Sequence, residues 1–160
     1  MKHLLLISGF FIISCVAFSQ EFKYAAGIRA GYTGGVEFRV YSDDLNSYKF
    51  LLGAREGGAV FHAIKEFHRL DLFAFTDRLN FVYGAGVHMG YERWDQQYHN
   101  YYITHTAFIA GFDGLAGLEY IFREVPVSLG FEVKPFFDLF GREMFDLELF
   151  DFAFTVKYHF

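Results

Sequence analysis

Residues 79–92 read LNFVYGAGVHMGYE. Leu79, Phe81, Tyr83, Ala85, Val87, Met89 and Tyr91 share one parity, and Asn80, Val82, Gly84, Gly86, His88, Gly90 and Glu92 share the other. A helix would scatter both sets around its axis, whereas a strand points successive side chains to opposite faces and separates them. The stretch therefore reads as a strand, apolar on one face and small or polar on the other. The fold then turns on which face is the inside.

The same grammar runs outward in both directions. In KYAAGIRAGYT, residues 23–33, Tyr24, Ala26, Ile28, Ala30 and Tyr32 oppose Lys23, Gly27, Arg29 and Gly31. Gly34-Gly35 signals a tight hairpin, and Val36, Phe38 and Val40 then alternate with Glu37, Arg39 and Tyr41. SDDLNS, residues 42–47, is turn-like in composition. Tyr48, Phe50, Leu52 and Ala54 follow, alternating with Lys49, Leu51, Gly53 and Arg55, and Glu56-Gly57-Gly58 turns the chain again. A fourth strand occupies 59–68; its facing stays open, because Phe61 and Ala63 compete with Val60 and Ile64.

Beyond residue 92, a sixth strand spans about Ala107 to Phe122, with Asp113, Leu115, Gly117 and Glu119 opposite the apolar row. Pro126 precedes a seventh, in which Val127, Leu129, Phe131 and Val133 oppose Ser128, Gly130, Glu132 and Lys134. The chain closes on FDFAFTVKYHF, residues 150–160, which alternates to Phe160. RWDQQYHNYYITHT (93–106) and DLFGREMFD (138–146) read as long polar connections. The pattern predicts eight strands in one all-β domain.

The 23 Phe and 11 Tyr of this 160-residue chain exceed what so small a domain can hide. The net charge of −5 provides no basic footprint for nucleic acid. At the N-terminus, Lys2 and His3 precede an apolar run from Leu4 to Phe18, too short for a membrane helix. Ala17-Phe18-Ser19 offers small residues for cleavage before Gln20, so residues 1–19 read as an export signal and 20–160 as the barrel domain. Cys15, the one cysteine, lies within that signal. Ile12-Ile13-Ser14-Cys15 fits a lipoprotein box loosely, although the apolar run continues past it; whether Cys15 is lipidated stays open.

In a soluble barrel the apolar face points inward, and in a transmembrane barrel it faces lipid around a polar lumen. The polar face here carries Gly27, Gly31, Gly53, Gly84, Gly86, Gly90, Gly117 and Gly130. Small residues of that kind offset large ones inside a narrow eight-stranded barrel. The charges on that face cancel: Arg29, Arg39, Lys49, Arg55, Lys134 and Lys157 stand against Glu37, Glu92, Asp113, Glu119, Glu132 and Asp151. Equal numbers permit a paired interior network. Tyr24, Tyr32, Tyr91, Tyr120, Phe122 and Tyr158 fall near strand ends, as girdle residues do. The reading is an eight-stranded antiparallel up-and-down transmembrane β-barrel. Its rival is a secreted lipocalin-like ligand carrier, with the rings inside and Arg29, Arg39, Glu119 and Lys134 outside.

The export signal, the eight amphipathic strands and the last strand alternating to Phe160 resemble the small outer-membrane β-barrel proteins of Gram-negative bacteria. The OmpA-like transmembrane domain and the OmpX-like barrels are the nearest models. The resemblance covers residues 20–160 at the level of architecture. It implies outer-membrane localisation, contact with outer-membrane lipid, and recognition of Phe154, Val156, Tyr158 and Phe160 by the assembly machinery. An even strand number implies periplasmic termini, with 33–35, 55–58, 93–106 and 137–147 on the extracellular side.

No catalytic constellation, metal template or cofactor motif is expected. His88, Ser128 and Glu132 are the residues an envelope lipid hydrolase or acyltransferase would require together, and His88 reads more simply as a hydrogen-bonded plug residue. Gly84-Ala85-Gly86 lacks the third glycine and the helix of a dinucleotide fingerprint. His99, His105 and Asp95 have no metal-ligand spacing. Trp94, Tyr98, Tyr101 and Tyr102 could contact an extracellular protein or glycan. A lumen filled by charged side chains argues against conduction, since aqueous pores use about sixteen strands. The sequence names no ligand, partner or oligomeric state.

Overall fold

The computed structural model describes residues 22–70, 72–73, 76–98 and 101–160, with the side chains of Tyr98 and Tyr101 excepted. The export signal, its cleavage near Ser19/Gln20 and Cys15 lie outside the described residues, as does His99. Among the described residues there are ten strand segments: β1 Tyr24–Gly31, β2 Gly34–Asp43, β3 Asn46–Arg55, β4 Gly58–Arg69, β5 Leu79–Tyr98, β6 Tyr101–Ile121, β7 Val127–Val133, β8 Phe136–Phe140, β9 Asp146–Glu148 and β10 Phe152–His159.

They make eight barrel positions. Both β7 and β8 pair with β6, so they are one strand interrupted at Lys134-Pro135, where proline has no N–H to give. β9 pairs with β8 and β10 with β7, so these two also share a position. Every neighbouring pair is antiparallel and consecutive, and β1 closes the barrel on β10 from Ala25↔His159 to Gly31↔Ala153. Closure matters because an open edge leaves a row of backbone groups without partners.

Burial follows parity along the closing strand. Phe152, Phe154, Val156 and Tyr158 are exposed on the outside, and Ala153, Thr155, Lys157 and His159 are buried. Phe154 is 67% exposed and Ile28 58%, whereas Arg29 is 2% exposed. The lipocalin-like alternative required the reverse and is corrected here: Arg29, Arg39, Glu119 and Lys134 are all inside. β4 puts Val60, His62, Ile64, Glu66 and His68 inside and Phe61 outside. Among buried side chains the apolar contribution is small, with Ile64, Val82 and Leu115 in one cluster.

Interior glycines leave room for this filling. A Cβ on Gly117 would lie 2.8 Å from Glu132 Cβ, and one on Gly86 would lie 2.8 Å from Ile64 Cγ1.

Three connections differ from the sequence reading. Gly34 and Gly35 begin β2, and the turn is Tyr32-Thr33. The turn at 56–57, by contrast, falls where the sequence put it, and both of its central residues have positive φ, 46° and 69°, as a type I′ hairpin demands. The stretch at 93–106 is mostly strand: β5 runs to Tyr98 and β6 starts at Tyr101, in register from Trp94↔His105 to Tyr98↔Tyr101. Trp94, Tyr98, Tyr101 and Tyr102 are therefore strand residues, not loop residues. The expected connection at 138–146 is partly β8 and β9. The turns at 32–33, 56–57 and 141–145 and the β5–β6 hairpin share the end opposite the termini.

Candidate functional site

The barrel interior is where chemistry-bearing side chains converge. Arg29, Glu37, Arg39, Lys49, Arg55, Glu92, Asp113, Glu119, Glu132, Lys134, Asp151 and Lys157 are all buried there. Strand parity puts them inside, and closure brings together residues far apart in sequence.

At the end near the termini, Arg39 Nη1 donates to Glu119 at 2.7 Å and its Nε lies 2.7 Å from Glu66 Oε2. In the middle, Lys49 Nζ reaches both oxygens of Glu132 at 2.8 Å and Glu37 at 2.7 Å, while Lys157 bridges Glu37 at 3.3 Å and Glu119 at 3.2 Å. Toward the far end, Arg29 joins Glu132 at 2.7 Å and Asp151 at 3.0 Å and also donates to the Thr33 carbonyl. Lys134 lies 3.1 Å from Asp151 and 3.4 Å from Asp113, and Arg55 pairs with Asp138 at 2.6 Å. Burying a charge is costly unless it is paired, and these pairs are repeatedly cross-linked.

Glu92 is the exception among the twelve. It is 6% exposed and accepts a hydrogen bond from the Arg142 backbone N–H, but no cation pairs with it among the described residues.

Glu66, Asp138 and His62 join the interior without having been singled out in the sequence. Glu66 and His62 sit on the strand whose facing was open, and Asp138 in a stretch read as connection. With Glu66 and Asp138 counted, eight buried carboxylates face six buried Arg and Lys side chains among the described residues. The equal balance read from the sequence is corrected to an acidic excess.

His88 and Ser128 do not meet. His88 pairs with position 111 of β6 and Ser128 with position 121, roughly 33 Å apart along one strand. His88 instead lies 3.1 Å from Asp113 and 2.6 Å from Asp138, while Glu132 is engaged by Lys49 and Arg29. His62 Nδ1 lies 2.9 Å from Asp113, which gathers His62, His88 and Asp113 into one group with metal-ligand spacing. Its members come from three strands, so sequence spacing gave no sign of it.

Two Ser–His contacts lie near the termini: Ser128 Oγ to His159 Nε2 at 2.9 Å, and Ser47 Oγ to His68 Nε2 at 2.8 Å. In each, the hydroxyl donates to a glutamate, Ser128 to Glu119 at 2.7 Å and Ser47 to Glu66 at 2.9 Å. A hydroxyl has one proton. The imidazole must therefore donate to the serine oxygen, the opposite of the role a general base plays in a triad.

A cavity of about 480 Å³ opens at the end near the termini, beside His68, Asn80, Glu119 and His159. One of about 240 Å³ opens at the other end. Between them, the space beside Leu115, Glu132 and Lys157 is about 10 Å³, at the lower limit for a single water.

At the rims, Asp43 accepts from the Asn46 amide and the Leu45 N–H, which hold its carboxyl below the usual range. Burial, then the hydrogen bond to Glu56, pushes the Tyr32 phenol up. Trp94 stacks on His105 at 5.4 Å, with the Arg142 guanidinium 5.3 Å above the indole, and Tyr102 is 70% exposed. Asp95 accepts from Thr104 at 2.7 Å.

No family model matches the chain, and no curated protein matches its sequence. Among solved structures it is similar to the N-terminal β-barrel domain of Pseudomonas aeruginosa OprF. The TM-score is 0.55 at 13% identity, over 88% of this chain and 100% of that one. That likeness shows a shared barrel fold.

Proposed function

We propose that this chain is an integral outer-membrane β-barrel with a plugged polar lumen, acting in envelope structure and surface interaction. One observation carries the reading: the buried face is charged and the exposed face is apolar, the arrangement lipid selects.

Several features support it. The barrel is closed, which a hydrocarbon solvent requires of strands. β2, β3 and β4 have 10, 10 and 12 residues, near the ~9–11 that span a bilayer. The described residues contain no helix long and apolar enough to cross a membrane. Near the termini an aromatic belt runs through Tyr24–Phe38, Phe38–Phe160 and Tyr158–Phe160, with ring centroids 5.9, 6.4 and 6.3 Å apart. The likeness to the OprF N-terminal β-barrel domain supports the closed-barrel fold on which this reading rests.

In this reading the termini are periplasmic, and the β5–β6 hairpin is an extracellular arm that offers Trp94 and Tyr102 to a protein or glycan. The outward row Phe154, Val156, Tyr158 and Phe160 is what the assembly machinery engages. The narrow middle of the lumen favours a plug over a channel. The Ser–His geometry weighs against lipid hydrolysis or acyl transfer.

The test is gel mobility of the detergent-extracted outer-membrane fraction, boiled against unboiled. A heat-dependent shift in that fraction supports the reading. Recovery of the folded chain in the soluble periplasmic or secreted fraction overturns it.

A further inference from the structure

We propose that the interior binds a divalent transition-metal ion of the zinc class between His62, His88 and Asp113. The register of β4, β5 and β6 brings them level, since His62 pairs with His88, and His88 with Gly111 two residues from Asp113. His62 Nδ1 is 2.9 Å from Asp113 Oδ2 and His88 Nδ1 is 3.1 Å from Asp113 Oδ1. One ligand atom from each residue lies within 4.8 Å of the others, compatible with bonds of ~2.0–2.2 Å converging on one ion. Two imidazole nitrogens with a carboxylate suit zinc-class ions better than calcium or magnesium, which prefer all-oxygen sites.

The contact geometry of His88 accommodates a metal at Nδ1. Both of its nitrogens face carboxylate oxygens, Nδ1 toward Asp113 and Nε2 toward Asp138 at 2.6 Å. A carboxylate accepts only, and a neutral imidazole has one N–H. One contact is therefore unsatisfied unless the ring carries a second proton or a metal. A metal at Nδ1 leaves the Nε2–H donating to Asp138, the carboxylate–histidine–metal arrangement of metal sites. His62 Nε2 is buried with no hydrogen-bond partner, so Nδ1 is the nitrogen through which that ring works.

Charge supplies an independent argument. The eight buried carboxylates exceed the six buried Arg and Lys side chains by two, and one divalent ion makes the counts equal. One of the two extra carboxylates lies toward this end, where Glu92 has no cation partner among the described residues. The 240 Å³ cavity there is lined by Glu56, Glu92, Asp138, Glu143, Asp146 and Arg142. The Arg142 guanidinium lies over Trp94, and among the described residues it pairs with none of these carboxylates. A concave wall with five carboxylates and one guanidinium is net negative and concentrates cations, and Asp138 both lines that wall and holds His88. Two fixed cations face the group. Arg55 stays with Asp138 at 2.6 Å, and Lys134 has Asp151 at 3.1 Å as a second partner when Asp113 turns to the ion.

The test uses the full, tag-free chain refolded in detergent with Zn²⁺, passed over a chelating resin and analysed for metal per folded barrel. The expected result is about one zinc per chain, as one three-ligand site holds one ion. In competition with a chromophoric chelator, Asp138→Asn weakens binding about 10–100-fold as an outer-shell change. His62→Gln and His88→Gln each weaken it further, and His105→Gln on the arm leaves it unchanged. Boiled and unboiled mobility checks the fold of each variant. A folded wild-type barrel without zinc overturns the proposal. So does zinc that survives both interior histidine substitutions, or zinc lost with His105→Gln. Where the interior variants do not fold, Co²⁺ in the wild-type barrel decides: intense visible bands of a low-coordinate nitrogen and oxygen site support the assignment, and the pale spectrum of hydrated Co²⁺ overturns it.

Discussion

Lys49 and Glu132 stand 83 residues apart and meet inside the barrel, the ammonium 2.8 Å from both carboxylate oxygens. β3 and β7 are not neighbours in the sheet, so this contact crosses the lumen and exists only once the barrel has closed. Arg29 shares the same glutamate and Glu37 the same lysine.

Removing one member of so buried a cluster leaves an uncompensated charge. Lys49→Met is expected to destabilise the refolded barrel by about 3–5 kcal/mol. The double variant Lys49→Met with Glu132→Gln should cost clearly less than the two single costs added, because the stranded charge is gone. Urea unfolding of the four proteins in lipid vesicles measures the coupling. Strict additivity would show that the pair contributes no interaction of its own.

The outward face makes a second demand. Ile28 is flanked by Val36 and Val156 on the neighbouring strands. Ile28→Arg should cost about 2–4 kcal/mol in a bilayer if this position lies near the midplane. On a water-facing surface the same change stays within about 0.5 kcal/mol. Unfolding from vesicles separates the two values.

The arm should be dispensable for folding. From Trp94 to Tyr98, β5 pairs with β6, and its pairing with β4 has ended at Tyr91. Replacing residues 94–105 with a two-residue Asn-Gly turn is expected to keep the heat-dependent mobility and shift stability by less than about 1 kcal/mol, since few tertiary contacts are lost. Loss of the folded band would show that the arm helps to close the barrel.

The two serines near the termini should be unreactive. Ser128 donates to Glu119 and Ser47 to Glu66, so neither adjacent histidine is placed to take the hydroxyl proton. Serine-directed fluorophosphonate probes are expected to leave both unlabelled in the folded barrel, read by peptide mass spectrometry. Labelling of Ser128 that disappears in His159→Gln would restore an enzyme reading.

The strands were legible because parity is local. Arg29, Arg39, Glu119 and Thr155 declare their face from their immediate neighbours, and Phe154 and Val156 declare the other. β4 was less legible: Phe61 and Ala63 lie outside while Val60 and Ile64 are apolar and inside, so hydrophobicity alone gave two answers. His62, Glu66 and His68 share the parity of Val60 and Ile64, and requiring polar residues to share a face would have fixed it. The arm was hidden because Gln96, Gln97 and Thr104 look like loop, and a two-stranded extension has no second layer to impose an apolar row. Which charges pair was beyond the sequence altogether, since Lys49–Glu132 and His88–Asp138 depend on which strands oppose each other across the lumen.

The central claim, charged face inside and apolar face toward lipid, is tested most directly on β10. With Cys15 replaced by Ser, single cysteines at positions 152 to 159 can be spin-labelled in the barrel refolded in vesicles. Collision rates with oxygen, which partitions into lipid, are then compared with those of a water-soluble nickel chelate. The expected result is high oxygen accessibility at 152, 154, 156 and 158, and low accessibility to both reagents at 153, 155, 157 and 159. Greater nickel than oxygen accessibility at 154 and 156 would contradict it, because that face would then be in water.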